Sequence, residues 1–134
     1  MIALLDLKAE FARLTMLTGR SRTTTDAEKK GSIARLAPYR DGAIFASKFT
    51  GISDWERHPR GDEIVQVVEG ATILHLMTDD GLRSFALSTG MIAIVPQKTW
   101  HRFEAPEGVC VMTATPQPTD HIGIDVEDPR TVKG

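Results

Sequence analysis

WERHPRGDEIVQVVEG, residues Trp55–Gly70, sets Glu56, His58 and Glu63 within eight positions and then runs into a largely β-branched segment. Strand side chains repeat with period two, so Glu56 and His58 share one face of a strand. Pro59-Arg60-Gly61-Asp62 has turn chemistry, with Pro presetting its own φ and Gly free to take a positive one. The reversal predicts a hairpin in which Glu63 returns on the neighbouring strand, opposite His58. Three metal-ligating side chains then converge. A second stretch, Gly90–Ala105, reads GMIAIVPQKTWHRFEA: a short apolar strand, a Pro-led turn, and His101 at the start of another strand.

Together the two stretches resemble the paired motifs of the cupin superfamily. The first family motif is Gly, five residues, His-x-His, three or four residues, Glu, six residues, Gly. The second is Gly, five residues, Pro-x-Gly, two residues, His, three residues, Asn. The four residues between His58 and Glu63, and the six between Glu63 and Gly70, fit the first; Gly90, Pro96 and His101 fit the second. Taking His58 as the first histidine instead would leave too few residues before Glu63. With Glu63 fixing the register, Glu56 stands where the family has its first His, and the opening Gly falls at Thr50, next to Gly51. Lys98 replaces the middle Gly of the second motif, and Ala105 its Asn. The resemblance implies an all-β double-stranded β-helix, a jelly-roll barrel, with a short N-terminal helical or extended segment. It also implies a two-His, two-Glu variant of the family's metal site.

A chain of 134 residues suits one domain with a core of its own, and a net charge of −2 offers no basic surface for nucleic acid or anionic membranes. The single Cys110 cannot form an internal disulfide, consistent with a cytoplasmic setting. No apolar run approaches the ~18–20 residues a membrane span needs, and the apolar start lacks the basic region of a signal peptide. The 31 residues before Ser32 are too few for a DNA-binding helix-turn-helix domain with its own core.

Three regions are expected: an arm or helix over residues 1–31 that packs on the barrel, a barrel over 32–116, and an irregular tail over 117–134. Apolar positions at Leu7, Phe11, Leu14 and Leu17 have near-helical spacing with Asp6 as a cap, although a β start over Met1–Leu5 also fits. Thr18–Gly31 reads as a polar linker whose Arg20, Arg22, Lys29 and Lys30 are solvated. Asp80-Gly81 between two alternating runs signals a hairpin, and Gly108–Thr115 a last apolar strand. In Glu63–Val68, Val65 and Val67 share a side with Glu63, while Ile64 and Val68 form a second apolar side. That second side needs a cover, either another sheet or a partner subunit; the resemblance implies a homodimer.

Imidazole and carboxylate are the usual ligands of first-row divalent metals, so His58, Glu63, His101 and Glu56 form the candidate set for Fe, Mn, Zn or Ni. Glu56 is a ligand, a catalytic general base beside the ion, or an outward residue paired with Arg57 or Arg60. Phe103 is the expected pocket wall. Arg60, with Arg57, Lys98 and Arg102, forms a basic rim that could meet a carboxylate or phosphate, or else pair with nearby acids. His75 is read as structural, His121 as exposed, and Cys110 as a buried inert thiol. The function that follows is a metal-binding enzyme acting on a small polar organic molecule, by dioxygenase-, isomerase- or lyase-type chemistry. The alternative is a metal-free, non-catalytic module that binds a small molecule.

Overall fold

The computed structural model describes residues 2–122 and 126–132. In chain order the elements are α1 (Leu7–Ala12), β1 (Leu17–Arg20), α2 (Asp26–Lys29), β2 (Ile33–Tyr39), β3 (Gly42–Ile52), β4 (Trp55–Arg57), β5 (Glu63–Thr78), β6 (Gly81–Ser88), β7 (Ile92–Val95), β8 (His101–Pro116) and β9 (Asp120–Ile122). A 3₁₀ turn, Pro129–Thr131, follows. The fold is mostly β, as expected, with one sheet that curls around a core. The long β5 and β8 form its spine. They run antiparallel from Ile64↔Ala114 to Leu76↔His101, and β8 pairs on its other edge with β3.

Alternation along β5 sets the inside and the outside. Glu63, Val65 and Val67 point inward and are buried, joining Phe49, Leu74, Leu87, Val95 and Val109 in the main core. Outward, Val68 packs with Phe11, Ala46 and Cys110. A six-residue helix such as α1 is unstable alone. Burying Phe11, a contribution of about 1.5–3 kcal/mol, pins it to the sheet, and Asp6 caps it by accepting from the Ala9 N–H. The cover expected over the outer face is therefore partly the chain's own helix, while Ile64 remains 38% exposed.

Two local expectations are corrected. β4 and β5 do not form a hairpin: β4 pairs with β8 at Glu56↔His101 and with β9 over Trp55–Arg57, while Glu63 pairs with Val95 of β7. The turn after His58 is tied to the β7–β8 loop instead. Lys98 N–H donates to the His58 carbonyl (3.0 Å), Gln97 N–H to Asp62 Oδ1 (2.8 Å), and the Gln97 side chain to the Pro59 carbonyl (2.7 Å). These bonds satisfy the loop and carry the chain across to β5 without strand pairing. The second correction is to the linker and the tail, each of which supplies strand residues: β1 adds in parallel to β3, and β9 adds to β4. By contrast, the Asp80-Gly81 hairpin forms as read, with Thr78↔Gly81 closing β5 against β6 and Gly81 at a φ of 102°.

Candidate metal centre

His101 opens β8, Glu63 opens β5, Glu56 lies on β4, and His58 follows it directly. β4 pairs with β8 at Glu56↔His101, and the curl of the sheet brings Glu63, which lies beside Thr115 at the far end of β8, to the same place. Ligand atoms of Glu56, His58 and His101 lie within 4.8 Å of one another. The Glu63 carboxylate sits between the imidazoles, its Oε2 3.0 Å from His58 Nε2 and its Oε1 3.2 Å from His101 Nε2. Both rings and Glu63 are 1–3% exposed. Glu56 is more open, with its side chain 26% exposed and Oε1 3.7 Å from His121 Nδ1.

The outer atoms of these groups are held. His101 Nδ1 donates to the Thr99 carbonyl at 3.0 Å, and His58 Nδ1 meets the Thr119 hydroxyl at 2.9 Å. Thr115 donates to Glu63 Oε2 at 2.7 Å and is itself linked to Thr113. The inner atoms are not held: His58 Nε2, His101 Nε2 and Glu63 Oε1 are buried and make no hydrogen bond, because the short approaches lack hydrogen-bond geometry. Neutral His101, with its Nδ1 proton committed to Thr99, presents a bare lone pair to a carboxylate oxygen. Buried acceptors facing each other are costly unless a proton or a cation lies between them. The donor set thus fits a divalent ion, with ring nitrogens oriented through their far sides as in histidine metal sites.

Without an ion, protons would take that part. Burial pushes the Glu63 carboxyl up, but the facing imidazoles of His101 and His58 outweigh it and hold Glu63 at about 2. Burial likewise lowers His101, yet the Glu63 carboxylate, with Glu56 and the Thr99 carbonyl, raises it overall.

A cavity of about 460 Å³ reaches Glu63 and Glu56 and is walled by Phe49 and Phe103. Phe103 stands edge-on to His101, with ring centroids 6.3 Å apart. Arg60 does not line this cavity. It is exposed and lines a separate groove with Tyr39, Ile64 and Ile94. Of the other rim cations, Arg57 pairs with Asp120 at 2.9 Å and stacks on Trp100, and Arg102 stacks on Trp55. His75 bonds Ser84 and Glu104 away from the site. Sequence reasoning missed Arg20, which lines the cavity from the arm, and Thr119, which orients His58 from the tail. Neither carries a local signal, since each depends on where β1 and β9 attach.

The sequence model of the cupin domain matches residues 49–115, half of the chain. This chain belongs to the cupin family. No curated protein matches the sequence. Among solved structures, the cupin is similar to protein NMB1881 of Neisseria meningitidis, at 20% identity and a TM-score of 0.59 over 83% of this chain and 96% of that one. It is also similar to a cupin-2 domain protein of Shewanella frigidimarina, at 24% identity and a TM-score of 0.55 over 64% and 80%. A third, hydroquinone 1,2-dioxygenase of Sphingomonas sp. TTNP3 with 4-hydroxybenzoate bound, gives 18% identity and 0.54 over 63% and 64%. At these identities the likeness speaks for the fold alone.

Proposed function

We propose that this cupin is a metal-dependent enzyme acting on a small polar organic molecule. His58, Glu63 and His101 hold a divalent ion of iron, manganese, zinc or nickel, and Glu56 is either a fourth ligand or the general base. The single observation that carries this reading is the trio of buried polar atoms without a hydrogen-bond partner, gathered at one place: His58 Nε2, Glu63 Oε1 and His101 Nε2. A bound ion would supply Lewis-acid polarisation or, as iron with open positions, oxygen activation. Glu56 is open enough to exchange a proton with solvent, whereas Glu63 is sealed in. Phe103 and Phe49 exclude water from one side of the reacting molecule.

Elemental analysis of the purified full chain tests the reading. About one equivalent of metal per chain is expected, retained through desalting and lost in His101→Ala. Protein that carries none of these metals, and takes up none after their addition, is instead the metal-free binding module. Glu56→Gln separates its two roles: unchanged metal content marks a base, and loss of metal marks a ligand.

We also propose that the cupin is a homodimer joined through the outer face of β7. Ile92 and Ile94 are exposed there, Ile94 is paired with the exposed Ile64 of β5, and β7 pairs with β5 alone among the described residues. An apolar, unpaired edge strand suits a second copy better than it suits water.

A further inference from the structure

Arg20 belongs to the arm that the sequence marks as solvated, yet it is 8% exposed and lines the cavity that reaches Glu63 and Glu56. Its Nε is buried without a hydrogen-bond partner, and its guanidinium forms no ion pair among the described residues. The contact it does make is cation–π, with Cζ 4.7 Å above the Phe49 ring. Burial lowers its pKa, and Glu56 and Asp54 offset this from a distance. Asp54 is itself engaged by Lys29 at 3.8 Å. A buried guanidinium N–H without an acceptor is costly, and an anion in the cavity would complete it.

The backbone shows how firmly the group is held. Arg20 pairs with Gly51 of β3, and Gly51 has a φ of 105°. A Cβ at Gly51 would lie 2.2 Å from the Arg20 carbonyl oxygen and 2.5 Å from its nitrogen. Only glycine lets β1 come this close, and that closeness delivers the side chain into the cavity. From Arg20 the wall runs through Phe49 to Phe103, with ring centroids 6.4 Å apart, and Phe103 in turn backs onto His101. The cavity is thus lined by the Arg20 cation, by Phe49 and Phe103, and by the carboxylates of Glu56 and Glu63.

We propose that Arg20 is the receptor for a carboxylate on the bound molecule, and that the substrate class is small organic acids with an apolar body lying along Phe49 and Phe103. The planar fork of Arg pairs bidentately with a carboxylate, and about 460 Å³ lies within the ~300–1,000 Å³ usual for small-molecule sites. The inference rests on the proposed function only in taking this cavity as the place where the small molecule binds.

Calorimetric titration of the full chain with benzoate and with its neutral isostere benzamide tests it, on metal-loaded and metal-stripped protein. Benzoate should bind at least tenfold more tightly than benzamide in either state. Arg20→Met should erase that preference without changing metal content or benzamide affinity, and Arg20→Lys should restore part of it. In the wild-type chain, the Arg20 Nε–H resonance should shift on adding benzoate, which keeps the test independent of whether Arg20→Met folds. Equal affinities for the two probes, no benzoate binding, or an unmoved Nε–H resonance would overturn the assignment. Tighter binding of phenyl phosphate than of benzoate would replace the carboxylate by a phosphate and overturn the substrate class. Failure of metal binding with the benzoate preference intact would sink the metal reading alone.

Discussion

Lys98 has a backbone φ of 66°, a left-handed conformation that costs a side-chain-bearing residue roughly 1–3 kcal/mol. Its N–H bonds the His58 carbonyl, so the strain is spent fastening the loop that carries an imidazole. Lys98→Gly should raise stability by about 1 kcal/mol after the greater freedom of glycine in the unfolded chain is discounted, as read by urea denaturation; a loss would mean the lysine side chain is itself needed. The buried cluster gives the metal-free protein a pH signature. Glu63 is depressed, so its stabilisation is present above its unfolded value of about 4.3 and drains away as pH falls toward 2. His101 is raised, so its contribution is complete below about 6.5 and fades as pH climbs through the folded value. Denaturation midpoints of the stripped chain should therefore peak between about pH 5 and 6.5, and added metal should lift the alkaline limb. A flat profile from mild acid to mild alkali would contradict this. Cys110, whose pKa burial pushes up, should resist a disulfide reagent until the chain is unfolded.

Among the elements, β3 is the most constrained by its neighbours. A Cβ at Gly42 would sit 1.9 Å from the Thr115 carbonyl oxygen, within the β3–β8 pairing itself. Gly42→Ala should thus destabilise by more than about 1 kcal/mol, with the loss visible in thermal melts. Gly51→Ala should loosen β1 while leaving most of the sheet intact, so hydrogen exchange should quicken at Leu17–Arg20 before β5 or β8. The β5–β6 hairpin was legible because Asp80-Gly81 fixes its own geometry locally. The β4–β5 relation was not, since Pro59-Arg60-Gly61-Asp62 specifies a reversal but not the partner. Gln97 and Lys98, distant in sequence, supply that partner. Arg20 was hidden for a similar reason: a basic residue in a polar segment reads as solvated until β1 is seen on β3.

For the molecule as a whole, the spacing of His58, Glu63, Gly70, Gly90, Pro96 and His101 was enough to announce the cupin fold. The turns between short strands demand those intervals wherever this sheet curls. The same intervals could not say what occupies the cavity, because its far wall comes from the arm. Nor could they show that α1 covers part of the outer face. The dimer proposed through β7 should appear as twice the chain mass in light scattering, and replacing both Ile92 and Ile94 by Lys should yield folded monomers. A wild-type chain that scatters as a monomer would remove that interface.

Thr119, which steadies the His58 ring, and β9, which flanks the strand bearing Glu56, both lie beyond residues 49–115, the segment that matches the cupin domain. Transplanting that segment would carry every acid and imidazole of the cluster but leave behind the grip on one ring. A chain cut after Pro116 should accordingly hold nickel at least about tenfold more weakly, the usual toll for losing a partner behind a metal-bound histidine. The grip on the His58 ring comes from the least conspicuous stretch of the sequence.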